Sequence, residues 1–426
     1  MKRISSLFKK GYLYLFTANT VRKIAAFCSS IILARLLSKK EFGAYSYVMN
    51  LVNIILIGDG IGTVTGILQY GCENRCEEEK CNNYIKYGMS VGIIANVVLS
   101  LVIAFYGLFI CRHIEYRMFF LIAALLPISS YISEAFTVIF RVKDNNRGYF
   151  SFSILGIILT YVGIITGAYF SSIAGIIGFR CFSLVIVSLI GFLFYPTINR
   201  VFGVKSPLNS QKQIDRKGFL KFSFLSCINN SVALLFYNMD MYFIGKLLFD
   251  EELIASYKIA TTVPLGLVFI SSSIIMCVYP SFVAHQNDRD WLRKQYLYLL
   301  TGLLCLNGFI FLIGFLFAPY VISLLFGFQY VEQATPFFRI LMVGFFISSS
   351  FRVPAGNVLD MLHLVTKNLK ISVVSGLLNI LLDYALILKL GAYGAAYATV
   401  AIYFFYALLS NIAVFKYIHN IKKECP

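Results

Sequence analysis

The chain has 426 residues, of which 59% are hydrophobic and 13% charged, and a formal net charge of +17. A soluble domain carries roughly 25% charged residues, and a soluble core of this size has no room for so much apolar surface, whereas a bilayer accepts apolar side chains on a protein's exterior as well. The positive balance does not indicate nucleic acid, because the charges punctuate apolar runs instead of forming a patch.

The first ten residues carry Lys2, Arg3, Lys9 and Lys10 and resemble the basic region of a signal peptide. The apolar stretch behind them, Gly11 to Leu37, is too long for a signal h-region, and no small-x-small site closes it. It reads as a retained first helix. A helix needs roughly 20 apolar residues to cross hydrocarbon. Twelve segments qualify: 12–37, 43–68, 85–110, 118–140, 149–170, 174–195, 219–246, 253–283, 296–317, 335–361, 369–388 and 392–415. Most connections are short. The longest, Pro196 to Gly218, is polar and basic. It predicts an N-terminal six-helix bundle over 1–196, a cytoplasmic linker over 197–218 and a C-terminal six-helix bundle over 219–426. Of ten cysteines, Cys28, Cys181, Cys227, Cys277 and Cys305 lie in apolar segments, as small hydrophobes do. Cys72, Cys76 and Cys81 fall in an acidic loop with no fourth ligand at a usual metal-site spacing, and read as reduced thiols.

Orientation follows from the distribution of Lys and Arg. Twenty-four lie on the side of the N-terminus, against seven on the other: Arg35, Lys39, Lys40, Arg112, Arg117, Lys246 and Lys389. This predicts cytoplasmic termini and an even number of spans. Six basic residues remain inside spans: Arg22, Lys23, Arg180, Lys258, Arg339 and Arg352.

The halves echo each other. Ala34-Arg35-Leu36-Leu37, followed by Glu41, matches Gly245-Lys246-Leu247-Leu248, followed by Glu252, and Gly175-Ile-Ile-Gly178 matches Gly391-Ala-Tyr-Gly394. With six spans each, the halves share one membrane orientation. The expectation is an all-α integral membrane fold of about twelve helices, in two pseudo-symmetric six-helix bundles around a central cavity.

The run Ala34-Arg35-Leu36-Leu37-Ser38-Lys39-Lys40-Glu41-Phe42-Gly43-Ala44-Tyr45 resembles the first hairpin of Wzx-type flippases for lipid-linked oligosaccharides, of the multidrug/oligosaccharidyl-lipid/polysaccharide exporter superfamily. Asp59-Gly60-Ile61-Gly62 is similar to that family's end of the second helix, and Tyr242 to Leu248 to its end of the seventh. Leu325 to Tyr330 and Gly391 to Thr399 resemble its C-terminal half, and Lys258, in Ser256-Tyr257-Lys258-Ile259-Ala260, matches a recurrent position. The resemblance covers nearly the whole chain. It implies a flippase, not an enzyme, that moves polyprenyl-diphosphate-linked oligosaccharide outward across a bacterial cell (inner) membrane by alternating access. The product would be a surface polysaccharide: O-antigen of lipopolysaccharide, capsule or exopolysaccharide. Its partners would be the bilayer, the lipid-linked substrate and, in the assembly pathway, polysaccharide polymerase and chain-length proteins, with no nucleic acid.

The intramembrane charges admit two readings. A lone Arg or Lys at mid-bilayer costs about 2.5–3.5 kcal/mol on insertion scales, so it faces water, a partner or the interface. On the first helix Asn19, Arg22, Lys23 and Ala26 share one side at i, i+3, i+4 and i+7. Asn229 and Asp240 share a face of the seventh helix, and Lys258 and Thr262 are stacked on the eighth. Arg22, Lys23, Lys258, Arg339, Arg352 and Arg180 would then line a cationic chamber for a phosphate-bearing head group. Alternatively they snorkel, Arg180 above all, or pair with Asp59, Glu134, Asp240, Asp360 and Asp383. Asn19, Asn229, Asp240, Glu134 and Asp59 are candidate cavity-polar or ion-coupling groups. No cofactor or metal is expected; the intramembrane acids read either as coupling groups for a proton or sodium gradient or as partners in helix–helix hydrogen bonds and ion pairs, the latter favoured for Asp59. Pro127, Pro264 and Pro354 lie inside spans and read as kinks.

Two other functions compete. A membrane polysaccharide polymerase would want a large external loop with catalytic residues. The longest external stretch here, Ala318 to Thr335, holds one acid, Glu332, and no His. A multidrug cation antiporter of the same fold would want an acidic cavity, whereas this chain is rich in intramembrane cations. No P-loop is present for ATP.

Overall fold

The computed structural model describes residues 12–111, 113–170, 172–194 and 214–421. The predicted linker and the two chain ends fall largely or wholly outside these ranges. The described residues are almost wholly helical and form no strand. In a bilayer each backbone N–H and C=O needs a partner within the protein, and a helix supplies one within its own segment.

The helices follow chain order. The first is α1 (Tyr12–Leu36). The second rod is α2 (Lys39–Ile55), a distorted turn Leu56–Gly62, and α3 (Thr63–Glu73). Next come α4 (Glu78–Phe105), then α5 (Ile114–Ala123) and α6 (Leu126–Val142) as one broken rod. They are followed by α7 (Asn146–Tyr169), α8 (Ile173–Phe194), α9 (Arg216–Leu248), α10 (Glu251–Ala284) and α11 (Arg289–Leu316). After the short α12 (Ala318–Phe326), α13 (Val331–Ile347), a π-helical turn Ser348–Arg352 and α14 (Val353–Met361) make one rod. The last two are α15 (Val365–Leu390) and α16 (Ala392–Asn420). Among the described residues, ten rods are long and apolar enough to cross a membrane. α1 and α9, at 25 and 33 residues, lie where the sequence predicts the first and seventh spans but are not among these ten. The chain is a multi-pass membrane protein.

Two boundaries differ from expectation. The stretch read as an external loop, Ala318 to Thr335, contains α12, which buries Ala318, Ile322 and Phe326 and exposes Tyr320 and Leu324. Gly327, at φ 108°, turns the chain directly into the tenth span, which therefore begins at Phe328 and not at 335. Pro127 and Pro354 do mark breaks, since each opens a new helix after an interrupted turn. Ser38 caps α2 through a capping box: its N–H and hydroxyl both donate to the Glu41 carboxylate, and Glu41 N–H returns a bond to Ser38 Oγ.

The chain divides into two compact units, Met1–Leu37 with Leu51–Ser231, and Ser38–Asn50 with Val232–Pro426. This differs from the division at 196 and 218. The start of α9 belongs to the first unit because Phe219 packs among Tyr70, Tyr84 and Tyr87, and Cys227 Sγ lies 3.5 Å from the Ile57 carbonyl. The start of α2 belongs to the second. Lys39 pairs with Glu252 at 3.3 Å and donates to Gln333, Asn50 donates to the Asn238 carbonyl, and Gly43 lies so close to Glu251 that a Cβ would fall 1.8 Å from its carbonyl oxygen.

Three helix pairings recur at corresponding places in the two units: α3 on α6, α6 on α8 and α7 on α8 match α10 on α13, α13 on α16 and α15 on α16. In the first unit α3 also packs on α4. The core of the first centres on Ile67, Tyr84, Tyr131, Phe136 and Phe152, and that of the second on Phe282, Leu292, Tyr296, Leu359 and Val414. Both units close the hairpin between their last two helices with glycine. A Cβ on Gly167 would lie 2.6 Å from the Gly175 carbonyl, and one on Gly394 would lie 2.3 Å from the Leu386 carbonyl. The glycine that the close approach requires is thus Gly167, which faces Gly175, in the first hairpin and Gly394 in the second.

Two measurements follow. Reporter fusions at Asp288 should read cytoplasmic and at Tyr330 external, opposite signs being the outcome required. Gly394→Val should destabilise the detergent-solubilised protein by about 1–3 kcal/mol through overpacking, read as a lowered Tm.

Candidate functional site: intramembrane charges of the two units

In the first unit, Asn19 and Arg22 on α1 are exposed, and so is Glu134 on α6. Arg22 and Glu134 lie within electrostatic reach of each other but not within 4.0 Å. Lys23 is also exposed on α1. Charged groups within a span are costly against hydrocarbon, so a face that exposes them is suited to water and not to lipid. Arg180 on α8 is half-buried, and its Nε is buried without a hydrogen-bond partner.

Asp59 sits where the second rod breaks. Asp59 has φ −49° and ψ 120°, while Gly60, Ile61 and Gly62 all take positive φ. Glycine is required at two of these positions for space as well as conformation. The Tyr131 ring occupies the place of a Gly60 Cβ, and the Ser223 carbonyl that of a Gly62 Cβ. Tyr131 fixes the break from the side, its hydroxyl 2.8 Å from Thr63 Oγ1 and donating to the Gly88 carbonyl at 2.9 Å.

In the second unit, Asp240 on α9 is buried, and its Oδ2 accepts from the Tyr257 hydroxyl at 2.7 Å and from Thr399 Oγ1 at 2.5 Å. Asp383 on α15 is fully buried and interacts electrostatically with Asp240. Asp240 Oδ1 and both Asp383 oxygens have no donor from a third residue among the described residues, the two carboxyl groups being hydrogen-bonded to each other, and Asn379 is buried one turn before Asp383. Two carboxylates thus share a sealed, donor-poor pocket, an arrangement suited to a proton or a small cation. The Asn229 side chain lies outside the described residues.

Lys258 on α10 is half-buried, with no carboxylate within 4.0 Å among the described residues. Arg352, in the π-helical turn, donates to Ser348 Oγ at 2.9 Å and stacks over Tyr403 at 4.6 Å and Tyr406 at 5.6 Å. Tyr406 continues through Asn368 to Asp360. Arg339 is exposed, donates to the Phe315 carbonyl at 3.3 Å and covers the Phe315 ring, which accounts for it as a cap on the end of α11.

The structure therefore brings Arg22 and Glu134 together and sets Asp59 beside Glu134, but gives Arg339 and Arg352 partners of their own. It adds Asp383, Tyr257 and Thr399 around Asp240 and Asn96 beside Asp59. Asp383 had been visible only as a pairing candidate. Its signal was a carboxylate one turn after an asparagine within an apolar run. Asn96, alone in its stretch of α4, gave none beyond its polarity.

The Asp240 geometry can be checked by stability. Thr399→Val and Tyr257→Phe each remove one donor from a buried carboxylate, and each should cost about 1–3 kcal/mol, measured as loss of Tm in detergent.

Comparison with known proteins gives a family and a fold. Residues 32–335 match the family described as Polysaccharide biosynthesis protein. No curated protein matches in sequence. Among solved structures, a multidrug resistance MATE family transporter of the MOP superfamily, in an inward-facing conformation, aligns with TM-score 0.71 at 15% identity over 98% of this chain and 100% of that one. The lipid II flippase MurJ, in an inward closed conformation, aligns with TM-score 0.71 at 18% identity, over 96% of this chain and 90% of that one. A MOP superfamily transporter from Pyrococcus furiosus aligns with TM-score 0.60 at 16% identity, over 97% and 95%.

Proposed function

Because the chain belongs to the polysaccharide biosynthesis protein family, we propose that it is a flippase that carries a polyprenyl-diphosphate-linked oligosaccharide from the cytoplasmic to the external leaflet of a bacterial cell membrane. The observation that carries this reading is the combination of that family with a transporter fold. A protein of polysaccharide assembly that is built as a carrier has an obvious load: the lipid-linked sugar, whose charged head cannot cross hydrocarbon unaided.

The chain's own residues suit that load. Arg22 and Lys23 are exposed within α1, and Lys258 is half-buried within α10 with no carboxylate at hand. Within each unit these cations suit diphosphate oxygens, Arg bidentately and Lys as a point charge. Several moderate contacts favour capture and release better than one tight site, because an intermediate held too firmly is not delivered. Access would alternate between the two membrane faces. The buried Asp240–Asp383 pair is the proposed seat of coupling to a proton or sodium gradient, since it binds no other charge among the described residues.

The test is reconstitution in liposomes carrying labelled lipid-linked oligosaccharide. Lys258→Ala should slow transfer about tenfold, the scale of one charge-assisted contact, and Lys258→Arg should retain part of it. Arg22→Glu should be slower than Arg22→Ala. If the labelled lipid stays in its leaflet while cationic dyes are moved against an ion gradient, the chain is a multidrug antiporter instead.

A further inference from the structure

The acids Asp240 and Asp383 lie nearer one end of the second unit than the other. At helical rise, Asp383 is about 10 Å from the end of α15 at Leu390 and about 27 Å from its start at Val365. The distribution of Lys and Arg makes the Leu390 end the external one. This short way out is closed. One turn outward from each of the four residues that build the site stands a buried apolar side chain: Ile244 from Asp240, Ile254 from Tyr257, Ile387 from Asp383 and Ala395 from Thr399. A cation would have to shed its water to enter such a layer, and nothing there replaces it.

The long way is polar. One turn inward from Asp383 is Asn379, and the same face of α15 continues through Ser375 and Ser372 to Asn368, in steps of four, three and four residues. α16 packs along α15 and faces this stripe with Thr399, which donates to Asp240, and Tyr406, two turns further in. The Tyr406 hydroxyl donates to Asn368 Oδ1 at 2.6 Å and lies 3.2 Å from Ser372 Oγ. At the cytoplasmic mouth Asn368 Nδ2 donates to Asp360 Oδ1 at 2.9 Å. Asp360, Asn368 and Ser372 are all half-buried. Deeper in, Ser375 Oγ is buried with no hydrogen-bond partner among the described residues. A buried hydroxyl left unbonded in a polar seam is a place for water. Arg352 meets Tyr403 and Tyr406 through their ring faces and is tied to Ser348, whereas the part of Tyr406 that enters the seam is its hydroxyl.

We propose that the coupling cation reaches the Asp240–Asp383 pair from the cytoplasmic face, through a hydrated seam between α15 and α16 lined by Asn368, Ser372, Ser375 and Asn379, while the apolar layer one turn beyond the pair seals the external side. The proposal rests on the reading of that pair as the seat of coupling. It adds a direction: in this conformation the pair exchanges its cation, a proton or sodium, with the cytoplasm alone.

The test is thiol labelling in oriented membrane vesicles, on the full-length chain with its ten cysteines replaced by alanine. Ser372→Cys, Ser375→Cys and Asn379→Cys should each react with a small cationic methanethiosulfonate about tenfold or more faster from the cytoplasmic side than from the external side, because only a hydrated thiol ionises to the reactive thiolate. Leu377→Cys and Leu381→Cys, on the exposed apolar face of the same helix, should stay unlabelled from either side. Two further arms identify the cation in choline chloride buffer. Adding sodium at fixed pH, or lowering the pH without sodium, should slow Asn379→Cys relative to Ser372→Cys, and the arm that does so names the ion admitted. The proposal is overturned if Ser375→Cys and Asn379→Cys label no faster than Leu377→Cys, if they label faster from outside, or if neither arm protects Asn379→Cys. The labelling is read without any lipid-linked sugar, so a failure of the flippase reading in liposomes leaves its outcome unchanged.

Discussion

Hydrocarbon offers a backbone no hydrogen-bond partner, and this one constraint arranges the rest of the molecule. Regular helix satisfies it almost everywhere. Where the helix is interrupted, protein takes over the work of the ladder. The break at Leu56–Gly62 is covered by Tyr131, Ser223 and Cys227. The π-helical turn at Ser348–Arg352 is lined by buried hydroxyls, with Ser350 bonded by Asn307 and Asn307 by Ser271. Polar groups gather at these places because an interrupted ladder is the one part of a membrane helix that needs them.

The same constraint separates two kinds of intramembrane charge. Arg339 and Arg352 are spoken for by a carbonyl, a hydroxyl and aromatic faces, and their cost is met locally. Among the described residues, Asp59 Oδ1 has no donor, and the Asp240–Asp383 pair has oxygens whose only further partner is each other. Stability alone would have replaced them with apolar or amide side chains. Their presence is what motivates the proposed coupling to a proton or sodium gradient.

The spans were legible because hydropathy reports on the solvent outside a helix, and lipid is uniform. Orientation rested on the same logic applied to Lys and Arg. Three features lay beyond that signal. The division into units was invisible because Phe219 and Cys227 are ordinary residues whose partners lie far back in the chain, so a polar loop looked like the natural boundary. The α12 helix was read as a loop because nine residues are too few to register as a span. The ring of groups around Asp240 was split among α9, α10, α15 and α16, and of its members only Asp240, as a candidate site residue, and Asp383, as a pairing carboxylate, carried a charge to be noticed. Proximity across 159 residues leaves no periodicity to read. What sequence did show was the class of residue to inspect: ionisable groups inside apolar runs.

α12 has a mechanical consequence. At nine residues it is about 13 Å long, less than half of a hydrocarbon core of roughly 30 Å. One face is anchored through Ala318, Ile322 and Phe326, while Tyr320, Leu324 and nearby Phe328 point outward, each at least 74% exposed. A short helix with a fixed inner face and Tyr320 and Leu324 on its outer face has the chemistry of an element that rests at the lipid–water boundary. It sets how deep the tenth span rides, since only Gly327 separates it from Phe328. Bilayer thickness thereby becomes a load on the protein: a thicker membrane drowns this helix and a thinner one strands it, and either strains the rod that carries Arg352.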